Sequence, residues 1–181
     1  MNLSSDYWDG SIFEPITALG TDQRGRWGED LLHRLLTAAG VSNNWLQDAN
    51  TNLDDGTYDI YVDDVDVRIE VKTSLNERYW QHENIYAAPV WDRLAFIDVL
   101  YDTIVFTIVS HSNMAPHLLS RQKHPVFNKT GVLRGSQTDK YKMDFGPKQH
   151  TLGVNAGLSF AYTVGDDPTE LFQWISASLV N

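Results

Sequence analysis

The sequence predicts an α/β protein in which a mixed central sheet is flanked by helices, and three patterns carry that expectation. A segment near the N-terminus repeats its apolar residues at helical spacing, several later segments alternate or run continuously apolar as strands do, and a final segment opens with helix-start chemistry. Helices on either side of a run of strands bury their apolar faces by packing onto a sheet.

Taken in order, residues 1–20 read as an N-terminal arm, whose Trp8, Phe13 and Pro15 need something to pack on. Over residues 26–39, Trp27, Leu31, Leu35 and Ala39 recur on one helical face, Leu32 and Leu36 widen the stripe, and Gly40 supplies a stop. Residues 58–62 and 65–72 alternate and are rich in β-branched side chains, which predicts a hairpin turning at Asp63 and Asp64. Residues 94–99 and 103–109 are nearly continuous apolar runs, as expected of strands covered on both faces. Residues 111–150 are polar and turn-rich and read as irregular, and 152–164 as one or two strands. Asp167-Pro168-Thr169-Glu170 combines an N-cap, a first-turn proline and a capping-box glutamate, so a closing helix is expected over 168–180. No repeat or linker divides the chain, so residues 1–181 are expected to form a single domain.

Composition narrows the function. With 42% hydrophobic and 21% charged residues the chain reads as globular, and no apolar run reaches the ~20 residues that span a bilayer. No charged-then-apolar leader opens it and it has no cysteine, which fits a reducing cytoplasm and excludes disulfides, thiolate metal sites and a cysteine nucleophile. The net charge of -10 by itself speaks against nucleic acid as a partner. The charge is uneven, however. Residues 1–120 carry a net -12, whereas 121–150 carry 7 basic and 2 acidic side chains. An acidic body thus bears one basic segment, formed by Arg121, Lys123, Lys129, Arg134, Lys140, Lys142 and Lys148. Such a segment can simply be solvated, or it can neutralise phosphates.

The chemistry concentrates in Tyr58-Asp59-Ile60 and Arg68-Ile69-Glu70-Val71-Lys72. Side chains alternate along a strand, so Glu70 and Lys72 share a face, and the hairpin brings Asp59 beside them. Two carboxylates and an ammonium make a site for a hard divalent cation such as Mg²⁺, which keeps several waters and typically needs only one or two carboxylates. The ion would activate water for attack, with the lysine orienting it or stabilising phosphoryl charge. The plainer alternative is the wet face of a half-exposed hairpin. Glu29 adds weight to the metal site, because its spacing with Leu32 and Leu36 puts it at the edge of the buried stripe, where a carboxylate needs a partner.

A helix bearing a Glu, then an Asp on one strand, then Glu-x-Lys on the next resembles the PD-(D/E)XK nuclease superfamily, over about residues 26–110. The resemblance implies a restriction-endonuclease-like fold and DNA hydrolysis leaving 5′-phosphate ends. By it, Asp59 and Glu70 bind Mg²⁺ (Mn²⁺ substituting) with the Val71 carbonyl, Lys72 assists the attacking water, and Glu29 is the accessory carboxylate. The sequence departs from the motif in placing Tyr58 where proline often stands. Thr73-Ser74 and Trp80-Gln81-His82-Glu83 resemble the region of some restriction and phage nucleases in which a loop and a helix after the lysine approach the nucleic acid. Trp80 and Gln81 are therefore candidate contacts, although a tryptophan is more often a core or interface anchor.

Other signals are thinner. Residues 20–28 lack the Lys-Ser/Thr ending of a phosphate-binding loop, and no Gly-x-Ser-x-Gly elbow is present. Glu29 and His33 stand one helical turn apart, but a surface or cap contact suits His33 better than a metal pair. The other histidines show no ligand spacing. The leading expectation is a Mg²⁺-dependent endonuclease acting on duplex DNA as a homodimer, since two-fold dimers read short palindromes. The alternatives are a structure-selective or RNA-directed nuclease of the same fold, and a nonenzymatic DNA-binding or assembly protein that retains the fold.

Overall fold

The computed structural model describes residues 5–46, 58–86, 90–119, 124–132 and 140–180. Helix α3 (Thr21–Ala38) starts before the apolar stripe that predicts it, because the Gly20 N–H donates to the Gln23 side chain and caps a polar first turn. It stops before Gly40, which takes the left-handed φ of +78°. Ahead of it, α1 (Ser5–Trp8) and α2 (Glu14–Thr17) are short turns whose Trp8, Phe13 and Ile16 are buried. The expected arm is therefore part of the core.

The predicted hairpin is present. Strands β2 (Ile60–Val62) and β3 (Val67–Leu75) pair antiparallel with Ile60 opposite Ile69, after the three-residue strand β1 (Asn43–Trp45) has joined the outer side of β2. The turn is longer than Asp63-Asp64: a 3-10 turn takes up Asp63–Val65, so Val65 is not in the strand, and Asp66 turns left-handed. Strands β5 (Arg93–Val99) and β6 (Thr103–Ser110) form a second hairpin, with β5 parallel to β3. Both are buried on both faces along nearly their whole length, as their continuous apolar runs require.

Between these hairpins the chain leaves the sheet. Strand β4 (Trp80–Tyr86) pairs instead with β8 (Lys140–Phe145), which pairs with β7 (Asn128–Val132), all antiparallel. The main sheet runs β1-β2-β3-β5-β6-β9 and the smaller one β4-β8-β7, with β9 spanning Ser159–Thr163. Helices α4 (His111–Leu119), α5 (Pro147–Asn155) and α6 (Thr169–Val180) complete the order. Asp167 accepts from the Thr169 N–H and hydroxyl at the start of α6, as the helix-start sequence anticipates.

Three expectations are corrected here. The described residues of 111–150 are not irregular: they hold α4, β7, β8 and the start of α5, and in β8 Tyr141, Met143 and Phe145 alternate with polar residues. The strands expected over 152–164 reduce to β9, since Pro147 at the first turn and the Gln149 side chain over the Gly146 N–H start a helix. The helix expected after Lys72 is absent, and residues 80–86 form β4.

Two cores result, one on each face of the main sheet. Ala95, Ile97 and Val99 point towards α3 and α6 with Val67, Ile69 and Val71, while Leu94 and Phe96 point to the second sheet and α4. The architecture is thus mixed α/β, a six-stranded sheet flanked by helices. Among the described residues no helix is long and apolar enough to cross a membrane.

Candidate active site

A cleft of about 570 Å³ opens where the first turns of α3 pass beside β3 and β4. Arg26 and Glu29 of α3 form one wall, Asp59, Val71 and Lys72 the floor, and Gln81–Asn84 of β4 the other wall. Glycine makes this approach possible. A Cβ at Gly28 would stand 1.8 Å from Thr73 Oγ1 and 2.9 Å from Thr73 Cβ, so only glycine lets α3 settle so near β3, one residue from Glu29.

Asp59, Lys72 and Glu29 each have a protein partner. The Val71 N–H donates to Asp59 Oδ2 at 2.7 Å, the Lys72 ammonium is paired with Glu70, and the Trp45 indole N–H donates to Glu29 Oε2 at 3.0 Å. Glu70 is buried and stays out of the cleft lining, bound to Lys72. Val71 has its side chain in the first core, so its backbone is what it offers here.

The carboxylates crowd one another. Burial, then Glu70 and then Glu29, push the Asp59 carboxyl up to about 7, against the Val71 N–H and Lys72. Burial likewise raises Glu29 above its ordinary value, although Trp45 and Lys72 oppose it. Burial disfavours the Lys72 charge, but Glu70, Asp59 and Glu29 together outweigh it and raise that ammonium. This is a desolvated, negatively frustrated cluster held by a single ammonium among its immediate members. Among the described residues no three His, Asp or Glu side chains gather closely enough to cage a metal by themselves.

The structure brings Glu29, Asp59, Glu70, Val71 and Lys72 together, and Glu29 finds the partner its position demands in the half-buried Trp45. Gln81 lines the cleft, its amide donating to Asp144 Oδ1 at 2.8 Å. Trp80 does not: it is 1% exposed and its indole N–H donates to the Val99 carbonyl, so it anchors the second core and cannot stack on a base. His33 makes the side-chain contact expected of it, Nδ1 to Asn43 Oδ1 at 2.7 Å. In the basic segment, Lys142 is ion-paired with Glu83 at the cleft wall and Lys148 is exposed in α5. Lys129 and Lys140 have backbone in β7 and β8, but their side chains lie outside the described residues, as do Arg121, Lys123 and Arg134 entirely. Residues that sequence reasoning missed are Trp45, Thr73 and the β4 wall at Glu83 and Asn84. They come from separate elements, and only their meeting in space marks them.

No protein-family model matches the chain, and no curated protein matches it at a significant level.

Proposed function

We propose that the protein is a cytoplasmic Mg²⁺-dependent endonuclease that hydrolyses DNA phosphodiester bonds, its mixed sheet being of the restriction-endonuclease-like kind. The observation that carries this reading is the convergence of Glu29, Asp59 and Lys72 in one cleft, with Glu70 bound to Lys72 and the Asp59 carboxyl raised to about 7 by burial and then by its acidic neighbours. The resemblance of that order of residues to the PD-(D/E)XK nucleases supports it.

The donor set suits Mg²⁺. Asp59 and Glu70 are hard oxygen donors on adjoining chain segments, their mutual repulsion is what a divalent cation relieves, and Mg²⁺ fills its remaining positions with water. Asp59, Glu70 and the Val71 carbonyl would hold the ion, which when bound supplies positive charge to the phosphoryl group and acidifies water. Lys72, already held in place by Glu70, orients the attacking water and stabilises charge on a phosphoryl oxygen. Glu29, fixed by Trp45, adds a carboxylate that tunes the cluster. Lys148 is available to flanking phosphates and Lys142 would become so on release from Glu83, and a homodimer would present two such clefts to a palindrome.

The test is cleavage of plasmid and linear duplex DNA with Mg²⁺ or with chelator, for the wild type and for Asp59→Ala and Glu70→Ala. Mg²⁺-dependent cleavage lost in both variants, with melting temperatures near that of the wild type, is the expected result. Cleavage that survives either substitution, or its absence from the wild type on DNA and RNA alike, would overturn the reading.

A further inference from the structure

A carboxylate with no solvent exposure lies between the two sheets. Asp98 of β5 is 0% exposed, and its two oxygens meet two imidazoles, His82 Nε2 of β4 and His150 Nε2 of α5, each at 2.7 Å. The surroundings are aromatic: Phe96 and Phe145 stand beside His82, and Trp80 beside His150. Asp144, the other buried carboxylate of this layer, is turned to Gln81. Burial alone would raise the Asp98 carboxyl, but the two imidazoles outweigh it and hold it below its usual range. His82 Nδ1 has no partner among the described residues, so the bond to Asp98 is the polar anchor of that ring. The chemistry proposed for the cleft uses none of these three groups.

Their place in the fold gives them a role. His82 lies within the Gln81–Asn84 wall of the cleft, where β4 is irregular: its register with β8 shifts between His82 and Ile85, and Asn84 takes a left-handed φ of 58°. A bulge interrupts the backbone ladder, so the strand there has fewer main-chain bonds to fix it. The side-chain bond from His82 to Asp98 ties that stretch to β5, which is itself hydrogen-bonded to β3 and thus to Glu70 and Lys72.

We propose that His82, clamped by Asp98 and His150, is a positioning residue that holds the bulged β4 wall at its working distance from Lys72, and that this wall contacts the nucleic-acid strand. The inference rests on reading the cleft as a phosphodiester-hydrolysing site. Loss of the clamp loosens substrate binding and leaves the hydrolytic groups on β3 in place. An amide at 98 can accept from one imidazole only and turns its NH₂ towards the other, whose Nε2–H then clashes with a donor. For His82 the alternative tautomer would put an N–H at Nδ1, where no acceptor waits.

The experiment compares Asp98→Asn, His82→Phe and His82→Gln by amide hydrogen exchange, melting temperature and Mg²⁺-dependent cleavage of a short duplex. Asp98→Asn and His82→Phe should speed exchange over 81–84 more than about tenfold while the amides of 69–72 are unchanged. They should raise KM about tenfold with kcat within about threefold of the wild type. His82→Gln keeps a donor for Asp98 and should recover most of both effects, which also covers the case in which Asp98→Asn fails to fold. A lower melting temperature with unchanged KM would make the cluster structural glue and overturn the proposal, as would unchanged exchange over 81–84. If the wild type cleaves neither DNA nor RNA, the nuclease reading fails, and the exchange comparison alone then decides whether His82 holds the wall.

Discussion

The Trp45 indole N–H donates to Glu29 Oε2 across 3.0 Å, joining β1 to the carboxylate that α3 buries. Burial raises the Glu29 carboxyl, and this bond is the largest effect opposing the rise. Trp45→Phe removes the donor but keeps a ring to stack on His33. Glu29 should therefore titrate higher still, and the acid limb of Mg²⁺-dependent cleavage should move up in pH, at a cost of about 1 kcal/mol in stability. Carboxyl NMR of Glu29 in both proteins checks it; an unmoved titration would show that Trp45 does not hold the charge.

Asp59 makes a sign prediction. Its carboxyl is raised from 3.8 to about 7 in the folded protein. Between those values the folded state keeps a proton that the unfolded state has released, so this contribution to stability is full below about pH 4 and lost as pH rises through about 7. Asn at 59 carries no charge and can still accept from the Val71 N–H. In chelator, Asp59→Asn should thus melt several degrees above the wild type at pH 8 and close to it at pH 4. Mg²⁺ should then raise the wild-type melting temperature at pH 8 and leave the variant nearly unchanged. Equal melting curves at pH 8 without metal would mean that the carboxylates do not repel as described.

The parts of this site that were legible in sequence are those fixed by periodicity. Alternation along β3 sends Val67, Ile69 and Val71 to the core and leaves Glu70 and Lys72 on the other face, and the hairpin then brings Asp59, one residue before the paired Ile60, against β3, where its N–H donates to the Ile69 carbonyl and its carboxylate accepts from the Val71 N–H. Glu29 was legible as a carboxylate on the rim of a buried stripe. Trp45, His82, Asp98 and His150 were not, because nothing local distinguishes them: the contact of His150 with Asp98 spans 52 residues, and a histidine in a strand has no spacing rule. The second sheet is hard to read in sequence because the alternating Tyr141, Met143 and Phe145 of β8 are interleaved with charged residues in a segment whose composition is that of a solvated loop. The place of Trp80 is hidden for a related reason, since an aromatic residue in a polar stretch serves stacking and core packing alike until its burial is known.

The contact between α3 and β3 predicts a steric coupling. Gly28→Ala puts a methyl 1.8 Å from Thr73 Oγ1 and 2.9 Å from its Cβ, which the β-branched side chain cannot evade by rotation alone. The helix must shift, at about 1–3 kcal/mol, carrying Glu29 away from the cluster. Thr73→Ala alone should be mild, because the buried Oγ1 has no hydrogen-bond partner among the described residues to lose. Combined, Thr73→Ala should recover part of the loss in stability from Gly28→Ala. Additive effects in the double-mutant cycle would mean that the two residues do not meet.

The ion pair between Lys142 of β8 and Glu83 of β4 bears on how an acidic protein could hold DNA. Glu83 lines the cleft and neutralises one of the two cations of the basic segment whose side chains are described. A half-exposed pair adds little to stability, so Glu83→Gln should leave the melting temperature within a degree or two. It should nevertheless strengthen binding to duplex DNA of any sequence, because it removes a negative charge from the wall and frees the Lys142 ammonium for a phosphate. Each phosphate neutralised on duplex DNA adds about 0.9 to the slope of log affinity against log salt. Measured in chelator so that nothing is cut, Glu83→Gln should steepen that slope by up to about one unit, and adding Lys142→Ala should cancel the gain. In the wild-type background Lys142 is already neutralised by Glu83, so Lys148→Ala should make the slope shallower by up to about one unit and Lys142→Ala should add little to that, since only an unpaired ammonium releases counterions when it meets a phosphate. A slope that ignores all of these substitutions would remove β8 and α5 from the binding face.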